Sequence, residues 1–177
     1  MKTTILLWTN VNDGISLIRS LNVHDNNFVF ENLAHITPEQ GDDLNNVIVE
    51  KFDVLLNITG ASVCRCAITP SDVLPARVNQ HVCIIRPLES VLNSHFLLHC
   101  LISKNFKRKL LSTASSSGAT REALTKKQVN DLNIPTPPIE LQNQFADIVQ
   151  QITDLDLSAL ETHATTLKAS LTQELLA

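Results

Sequence analysis

"IPTPPIELQNQF", residues 134–145, passes abruptly from a proline-rich stretch to a helical pattern of apolar residues. Proline fixes φ and lacks a backbone N–H group, so residues 134–138 predict stiff, extended chain. Proline is nonetheless favoured in the first turn of an α-helix, a place that suits Pro138. The stretch therefore predicts a boundary between a globular domain, residues 1–138, and a helix that leaves it at a fixed angle, residues 139–177.

The predicted C-terminal helix carries an apolar side chain at every third or fourth position, which is the pattern of a coiled coil. Nearly forty residues without internal glycine or proline would form a rod about 55 Å long at 1.5 Å per residue. So long a helix extends beyond a small domain, and its apolar stripe needs a partner helix from a second copy or from another protein. The predicted interface residues are Leu141, Phe145, Ile148, Ile152, Leu155, Leu160, Leu167 and Leu171.

Upstream of the prolines, short segments rich in β-branched and aromatic residues alternate with turn-forming Asn, Asp, Gly and Pro. This alternation is typical of β-strands. The predicted strands are "TILLW" (4–8), "NFVFE" (27–31), "DVLLNIT" (53–59), "VCRCAIT" (63–69) and "HVCIIRP" (81–87).

The periodicity changes after these strands. Residues 93–111 predict a single helix with a basic end, capped by Asn93 or Ser94. A small, polar, glycine-containing loop follows, and then a short helix in which Thr125 and Gln128 form a capping box. The sequence therefore predicts an α+β fold, in which a small, mostly β domain with short helices precedes one long coiled-coil-like helix.

The composition, 44% hydrophobic and 18% charged, is that of a folded, soluble protein. No apolar run approaches the roughly 20 residues that a membrane span requires, and polar residues interrupt the opening segment before it could form a secretion signal. We therefore expect a cytoplasmic protein. Four glycines cannot supply a Walker loop or a dinucleotide fingerprint, so no nucleotide cofactor is expected.

Cys64 and Cys66 are spaced as C-x-C, without the two-residue gap of common zinc knuckles, and no other cysteine or histidine pair complements them. Strand alternation would place both thiols on one face, so we interpret them as reduced, buried packing residues. No metal is expected. A thiol hydrolase that pairs a cysteine with His81, His95 or His99 is an alternative that no surrounding motif supports.

The net charge of −4 hides a segregation of charge along the chain. Residues 1–50 carry two basic and seven acidic side chains, residues 51–127 carry eleven basic and four acidic, and residues 128–177 carry one basic and seven acidic. A basic centre between acidic ends is typical of a phosphate-binding face on a soluble protein. A solvated surface of mixed sign is the alternative interpretation.

Two stretches carry a resemblance to a known family. They are "FDVLLNITGASVCRCAI" (52–68) and the run from "NSHFLLHCLISKNF" at residue 93 to "IPTPPIELQNQFADIVQQI" at residue 152. In order they contain an Asp-hydrophobic-Gly strand and turn, a helix with a basic end, a Ser/Gly loop, the pattern L-x-I-P-x-P-P-x-x-x-Q, and a long helix. Over most of residues 45–177 the chain resembles a target recognition domain and spacer helix of the DNA specificity (S) subunit of type I restriction-modification enzymes.

The resemblance implies a division of labour. The recognition domain would read one half of a split double-stranded DNA target, and the long helix would act as spacer and as docking surface for methyltransferase (M) subunits. The chain would carry no catalytic centre, because methyl transfer belongs to the M subunits and ATP-driven translocation and cleavage belong to the restriction subunits.

Complete S subunits have two recognition domains and two spacer helices, whereas this chain has one of each. We therefore expect a half-length subunit that forms a homodimer by pairing its helices antiparallel and that favours an inverted-repeat target. The alternative is a truncated fragment that assembles with M or S chains without reading DNA.

The candidate DNA contacts lie in the basic centre of the chain. Residues 104–109 would contact phosphates, although complementing a helix dipole would also place cations there. Residues 116–121 would offer hydroxyls, a close-approaching glycine and an arginine, or would form an ordinary loop. Arg65 and Arg77 flank the glycine turn and would contact DNA or remain in solvent. The full set is Arg65, Arg77, Lys104, Lys107, Arg108, Lys109, Ser116, Gly118, Thr120, Arg121, Lys126 and Lys127.

Overall fold

The computed structural model describes residues 14–115 and 122–175; in the last helix, side chains are described up to residue 154 and at 162, 165, 166 and 168. These residues form an α+β fold, as the sequence predicts. The strands are β1 (Ile15–Ile18), β2 (Val23–His24), β3 (Asn27–Phe28), β4 (Ala34–Ile36), β5 (Ile48–Val49), β6 (Val54–Asn57), β7 (Cys66–Ile68), β8 (Ala76–Val78) and β9 (Val82–Ile85). The helices are α1 (Pro38–Asp42), α2 (Ser94–Ile102), α3 (Lys104–Ser115), α4 (Lys126–Asn130) and α5 (Ile139–Leu175).

The described strands form two small sheets and a hairpin. The first sheet has the order β4–β1–β8–β5, with β1 and β8 parallel and the other pairs antiparallel. The second sheet is antiparallel with the order β7–β6–β9, so that Leu55 of β6 lies opposite Ala67 on one side and Ile84 on the other. β2 and β3 pair antiparallel as the hairpin.

Strand β6 is buried along its whole length because its two faces enter different cores. Side chains alternate between the faces of a strand. Val54 and Leu56 pack in a core that includes Leu97 of α2, whereas Leu55 packs in a second core with Val78 of β8. This double burial holds β6, and the turn that follows it, firmly in the domain.

The structure divides the helix predicted at residues 93–111 into α2 and α3. Ser103 leaves helical geometry with ψ 141°, and its hydroxyl donates to the carbonyl of Cys100 at 2.8 Å. Such a local bond competes with continuation of the helix. The prediction of a single helix was therefore wrong, and the basic residues at 104–109 lie in the first half of α3. They are therefore not in the last turn of the helix that contains them.

Two helix caps lie where the sequence predicts them. The side-chain oxygen of Asn93 accepts the backbone N–H groups of His95 at 2.9 Å and Phe96 at 3.1 Å, which caps α2. The hydroxyl of Thr125 accepts the N–H of Gln128 at 3.2 Å, and the Gln128 side chain accepts the Thr125 N–H at 2.8 Å. This reciprocal pair is the predicted capping box of α4.

The segment around the two neighbouring cysteines differs from the predicted strand. Cys64 has a left-handed φ of 66° in the β6–β7 connection, and only residues 66–68 form β7. The N–H of Cys64 donates to the carbonyl of Asn57 at 2.8 Å, which closes this connection. Cys64 and Cys66 are both fully buried, so the predicted burial is correct although strand alternation is not its cause.

The other strand predictions agree in part. Residues 53–59 and 81–87 contain β6 and β9, residues 27–31 contain only the two-residue β3, and residues 4–8 lie outside the described part of the chain. The four described strands of the first sheet were not among the predicted strands.

The chain divides into two compact units, residues 1–136 and 137–177. The second contains α5, which has 37 residues. Neither α5 nor any other helix within residues 14–115 and 122–175 combines the length and hydrophobicity that crossing a membrane demands.

Hydrogen bonds join the proline-rich segment to the start of α5. The carbonyl of Pro138 accepts the N–H groups of Leu141 at 3.0 Å and Gln142 at 3.3 Å. The side chain of Gln142 is buried and donates to the carbonyl of Pro137 at 2.7 Å. The glutamine of the predicted proline-to-glutamine pattern therefore hydrogen-bonds to the last residues before the helix.

Candidate nucleic-acid interface

Three of the four basic residues of α3 are exposed to solvent, and Lys107 is half-buried. Leu110 and Ala114 are buried and anchor the helix. Lys104 and Arg108 are exposed and lie one turn apart, so they share a face, and Lys109 is exposed beside them. Helix α3 therefore presents a cluster of cations to solvent.

Two of the predicted lysines already have carboxylate partners. Lys107 forms an ion pair with Asp25 in the β2–β3 hairpin, and Lys127 forms one with Asp131 four residues later. Exposed pairs of this kind contribute little stability, so a phosphate could displace the carboxylates. Lys126 is exposed on α4. We call Lys104, Arg108, Lys109 and Lys126 the basic surface.

Helices α3 and α4 are neighbours, and the predicted phosphate-contacting loop joins them. The side chain of Gln128 donates to the carbonyl of Thr113 at 3.4 Å. The two ends of the loop also meet, since the hydroxyl of Ser115 donates to the Glu122 carboxylate at 3.0 Å. The predicted loop contacts lie outside the described residues, namely Ser116, Gly118, Thr120 and Arg121.

The turn after β6 lies against the end of this loop. Gly60 has a left-handed φ of 74°, a conformation that glycine adopts without strain. Its N–H donates to the carbonyl of Glu122 at 3.0 Å, and the N–H of Leu124 donates to the carbonyl of Ile58 at 2.8 Å. Folding therefore brings the glycine turn and residues 122–124 together, although they are distant in sequence.

A groove of about 480 Å³ opens beside the glycine turn. We call it the Arg65 groove; its lining residues are Ser20, Leu21, His24, Thr59, Gly60, Ala61, Ser62, Arg65 and His81. The Arg65 guanidinium has no hydrogen-bond or ion-pair partner among the described residues, whereas Arg77, Arg86 and Arg108 each have one or more. The sequence pointed to Arg65 but not to His24, and it singled out His81 only as a possible partner for a thiol.

Arg77, also predicted to contact DNA, is buried instead, with 7% of its surface exposed. Its guanidinium donates to the carbonyl of Gly41 at 3.2 Å, the carbonyl of Ala76 at 3.1 Å and the side chain of Asn45 at 3.1 Å. These bonds satisfy a charge that would otherwise be costly to bury. Arg77 is therefore a structural residue of the first sheet and is not available to a ligand.

The buried cysteines lack the reactivity of catalytic thiols. Burial raises the pKa of Cys64 to about 11 and that of Cys66 to about 12. Both remain protonated near neutral pH, and a protonated thiol is a poor nucleophile. Among the residues that the structure describes, no group of three His, Cys, Asp or Glu side chains is arranged to hold a metal ion.

The first part of α5 exposes the predicted apolar stripe. Leu141, Phe145, Ile148 and Ile152 are 54%, 38%, 55% and 54% exposed, respectively. Their spacing of four, three and four residues is that of positions a and d in a coiled coil. The remaining members of the predicted stripe have side chains outside the described set, namely Leu155, Leu160, Leu167 and Leu171.

A model of the type I restriction modification DNA specificity domain matches residues 11–169. The chain belongs to this family. The specificity domain is also 28% identical over 143 residues to the type I restriction enzyme EcoBI specificity subunit of Escherichia coli, which covers 81% of this chain.

Two solved structures share the fold of this specificity domain. The HsdS subunit from Thermoanaerobacter tengcongensis superposes with a TM-score of 0.67 over 92% of this chain at 20% identity. A chain from a type I restriction-modification system, studied for complex assembly and conformational transition, superposes with a TM-score of 0.61 over 94% of this chain at 20% identity. The specificity domain spans 29% of the EcoBI subunit and 40% and 37% of these two chains.

Proposed function

We propose that this chain binds double-stranded DNA and supplies target specificity to a cytoplasmic type I restriction-modification system. The observation that carries the proposal is the basic surface, which collects exposed cations on adjacent helices of a protein whose net charge is −4. An acidic protein repels DNA unless its cations are concentrated where the phosphates lie. Lys107, Lys127 and the loop at residues 116–121 extend this surface in our proposal.

In this proposal the domain reads one half of a DNA target, and α5 mediates assembly with other protein chains. The exposed stripe of α5 needs an apolar partner, because a row of large side chains at coiled-coil spacing is unfavourable in water. Pairing with α5 of a second copy would place two identical recognition domains on an inverted repeat. The same helix would dock M subunits, which would perform the methyl transfer, so the chain itself acts without catalysing a reaction.

DNA binding is testable by removing cations in matched pairs. The variant K104Q/K109Q loses two charges from the basic surface, whereas the control K51Q/K168Q loses two exposed charges elsewhere. Affinity for a fluorescent duplex of random sequence is measured between about 50 and 200 mM salt. Each lost phosphate contact lowers the slope of log affinity against log salt by about 0.9, so we expect a decrease of about 1.8 in K104Q/K109Q and little change in the control.

Equal slopes for wild type and K104Q/K109Q would refute the basic surface as the DNA-binding site. The alternative function, an assembly module that does not read DNA, is favoured by the exposed apolar stripe on α5. That function predicts no salt-dependent DNA binding by the wild type together with intact self-association. Light scattering on the wild type distinguishes a dimer from a 19.6 kDa monomer, and a monomer would refute the homodimer.

A further inference from the structure

The Arg65 groove has the composition of an anion-binding site. Its charged and ionisable side chains are an arginine and two histidines, and no carboxylate is present in the lining. An arginine in a folded protein commonly pairs with a carboxylate or a carbonyl, and Arg77 and Arg86 both do so here. Arg65 has no such partner among the described residues. It lines a groove that is wide enough to hold a ligand.

Hydrogen bonds from several elements hold the walls of this groove in place. The carbonyl of Arg65 accepts the N–H of Asn57 at 2.9 Å, which ties the arginine to β6. The side chain of Asn57 donates to the carbonyls of Ser20 at 2.9 Å and Val23 at 3.1 Å, which ties the segment leading into His24 to the same strand. The groove is therefore preorganised, and a ligand would not have to order it.

His81 also lines the groove, and the hydroxyl of a neighbouring threonine orients its ring. Its Nδ1 lies 2.7 Å from the hydroxyl of Thr59, and its carbonyl accepts the N–H of Ile58 at 2.9 Å. Because Nδ1 is engaged, Nε2 is the ring atom left for a ligand. When the Thr59 hydroxyl donates to Nδ1, the neutral ring keeps its proton on Nε2 and can donate it.

The shape of the groove favours a phosphate over a base edge. Base edges lie inside the DNA grooves and are reached by protruding helices, strands or loops. A concave surface instead receives the sugar-phosphate backbone, which is the convex part of the duplex. Gly60 at the rim leaves open space where a side chain would stand, since a Cβ built there meets nothing within 4 Å. A DNA strand can therefore approach the backbone of this turn.

We propose that the Arg65 groove holds a phosphate of the DNA strand, with Arg65 as the charged ligand and His24 and His81 as hydrogen-bond donors. The proposal rests on the proposed function, because the Gly60 turn is hydrogen-bonded to Glu122, between helices α3 and α4 that carry the basic surface, and one DNA strand would cross both. The groove would fix the position of the domain on the duplex, whereas base recognition would come from other residues.

The test compares R65Q with R65K and with the control K51Q on the random-sequence duplex. R65Q should lower the salt slope by about 0.9, so that between about 50 and 200 mM salt the wild type loses roughly 3.5-fold more affinity than R65Q. R65K should keep the slope but bind more weakly, because lysine cannot make the two parallel bonds of a guanidinium. His81→Ala should weaken binding, because the hydrogen bond that Nε2 would donate to the phosphate is lost. Thermal unfolding of each variant shows whether the fold is retained.

The outcomes separate this proposal from the proposed function. An unchanged slope and affinity in R65Q, with a reduced slope in K104Q/K109Q, would overturn the groove as a phosphate site and leave the basic surface intact. A wild-type chain that shows no salt-dependent binding would overturn both. A slope reduced as much in R65K as in R65Q would overturn the assignment of Arg65 as a charged ligand, and unchanged affinity in His81→Ala would remove His81 from the site.

Discussion

Replacing Arg86 by methionine should destabilise the fold, because Arg86 neutralises the buried carboxylate of Asp53. The guanidinium meets this carboxylate twice, with Nε 2.7 Å from Oδ1 and Nη2 2.8 Å from Oδ2. It also donates to the Glu50 carboxylate at 2.6 Å and to the carbonyl of Ile48 at 3.0 Å. Ile48 belongs to the first sheet, whereas Asp53 directly precedes β6 in the second, so Arg86 fastens one sheet to the other.

The exposure of the two partners determines the size of the effect. The Asp53 side chain is 0% exposed and the Arg86 side chain is 45% exposed. Removing one partner of a buried ion pair costs about 3–5 kcal/mol, because the other charge is left uncompensated. Water can enter part of the space that Arg86 vacates, so we expect about 3 kcal/mol. The hydrogen bond with Asp53 raises the pKa of Arg86, which therefore stays charged wherever the protein is folded.

Urea denaturation followed by circular dichroism measures the free energy of unfolding of the wild type, R86M, D53N and the double variant. Methionine keeps much of the apolar stem, so the loss reports mainly on the charge. The double variant leaves neither charge of this pair, and its loss should be smaller than the sum of the single losses by at least about 1 kcal/mol. A loss below about 1 kcal/mol in R86M, or strict additivity, would refute the reasoning.

Three further outcomes are expected. The double variant Ile148→Asp/Ile152→Asp should be a monomer in light scattering, because each new carboxylate places a charge in the apolar helix interface. A variant that is still a dimer would exclude this part of α5 from the interface. Burial lowers the pKa of His95 and His99 below 6.5, so the folded state binds fewer protons than the unfolded state. Stability should thus be complete above about pH 6.5 and fall at lower pH, and a double glutamine variant should show a smaller fall in its free energy of unfolding. Gly60→Ala should cost about 1–2 kcal/mol in thermal unfolding because φ is left-handed, and an unchanged melting temperature would contradict that strain.

Elements that depend on a few consecutive residues were predictable from the sequence. The capping box of Thr125 and Gln128, the Asn93 cap and the start of α5 after Pro138 all occur where expected. Each is decided by hydrogen bonds that span no more than a few residues, so distant parts of the chain do not affect them. The order of such elements was also enough to predict the family.

Elements that depend on distant partners were predicted less well. Arg77 and Arg65 could not be told apart in the sequence. Arg77 is nevertheless buried, because folding of the first sheet brings it beside the carbonyl of Gly41, which is 36 residues away in the sequence. His81 joins the Arg65 groove because β9 pairs with β6. No local sequence pattern indicates such pairings. The burial of Arg77 and the presence of His81 in the Arg65 groove could therefore not be predicted from the sequence.

The sequence by itself determined the α+β class, the long C-terminal helix and the concentration of positive charge in the middle of the chain. These features follow from the composition of the chain and from residues that are close together in the sequence, so they do not depend on how distant segments pack. Only the tertiary structure decided which cations face solvent, which are neutralised and which border a groove, because a side chain acquires its partners when strands pair and helices pack.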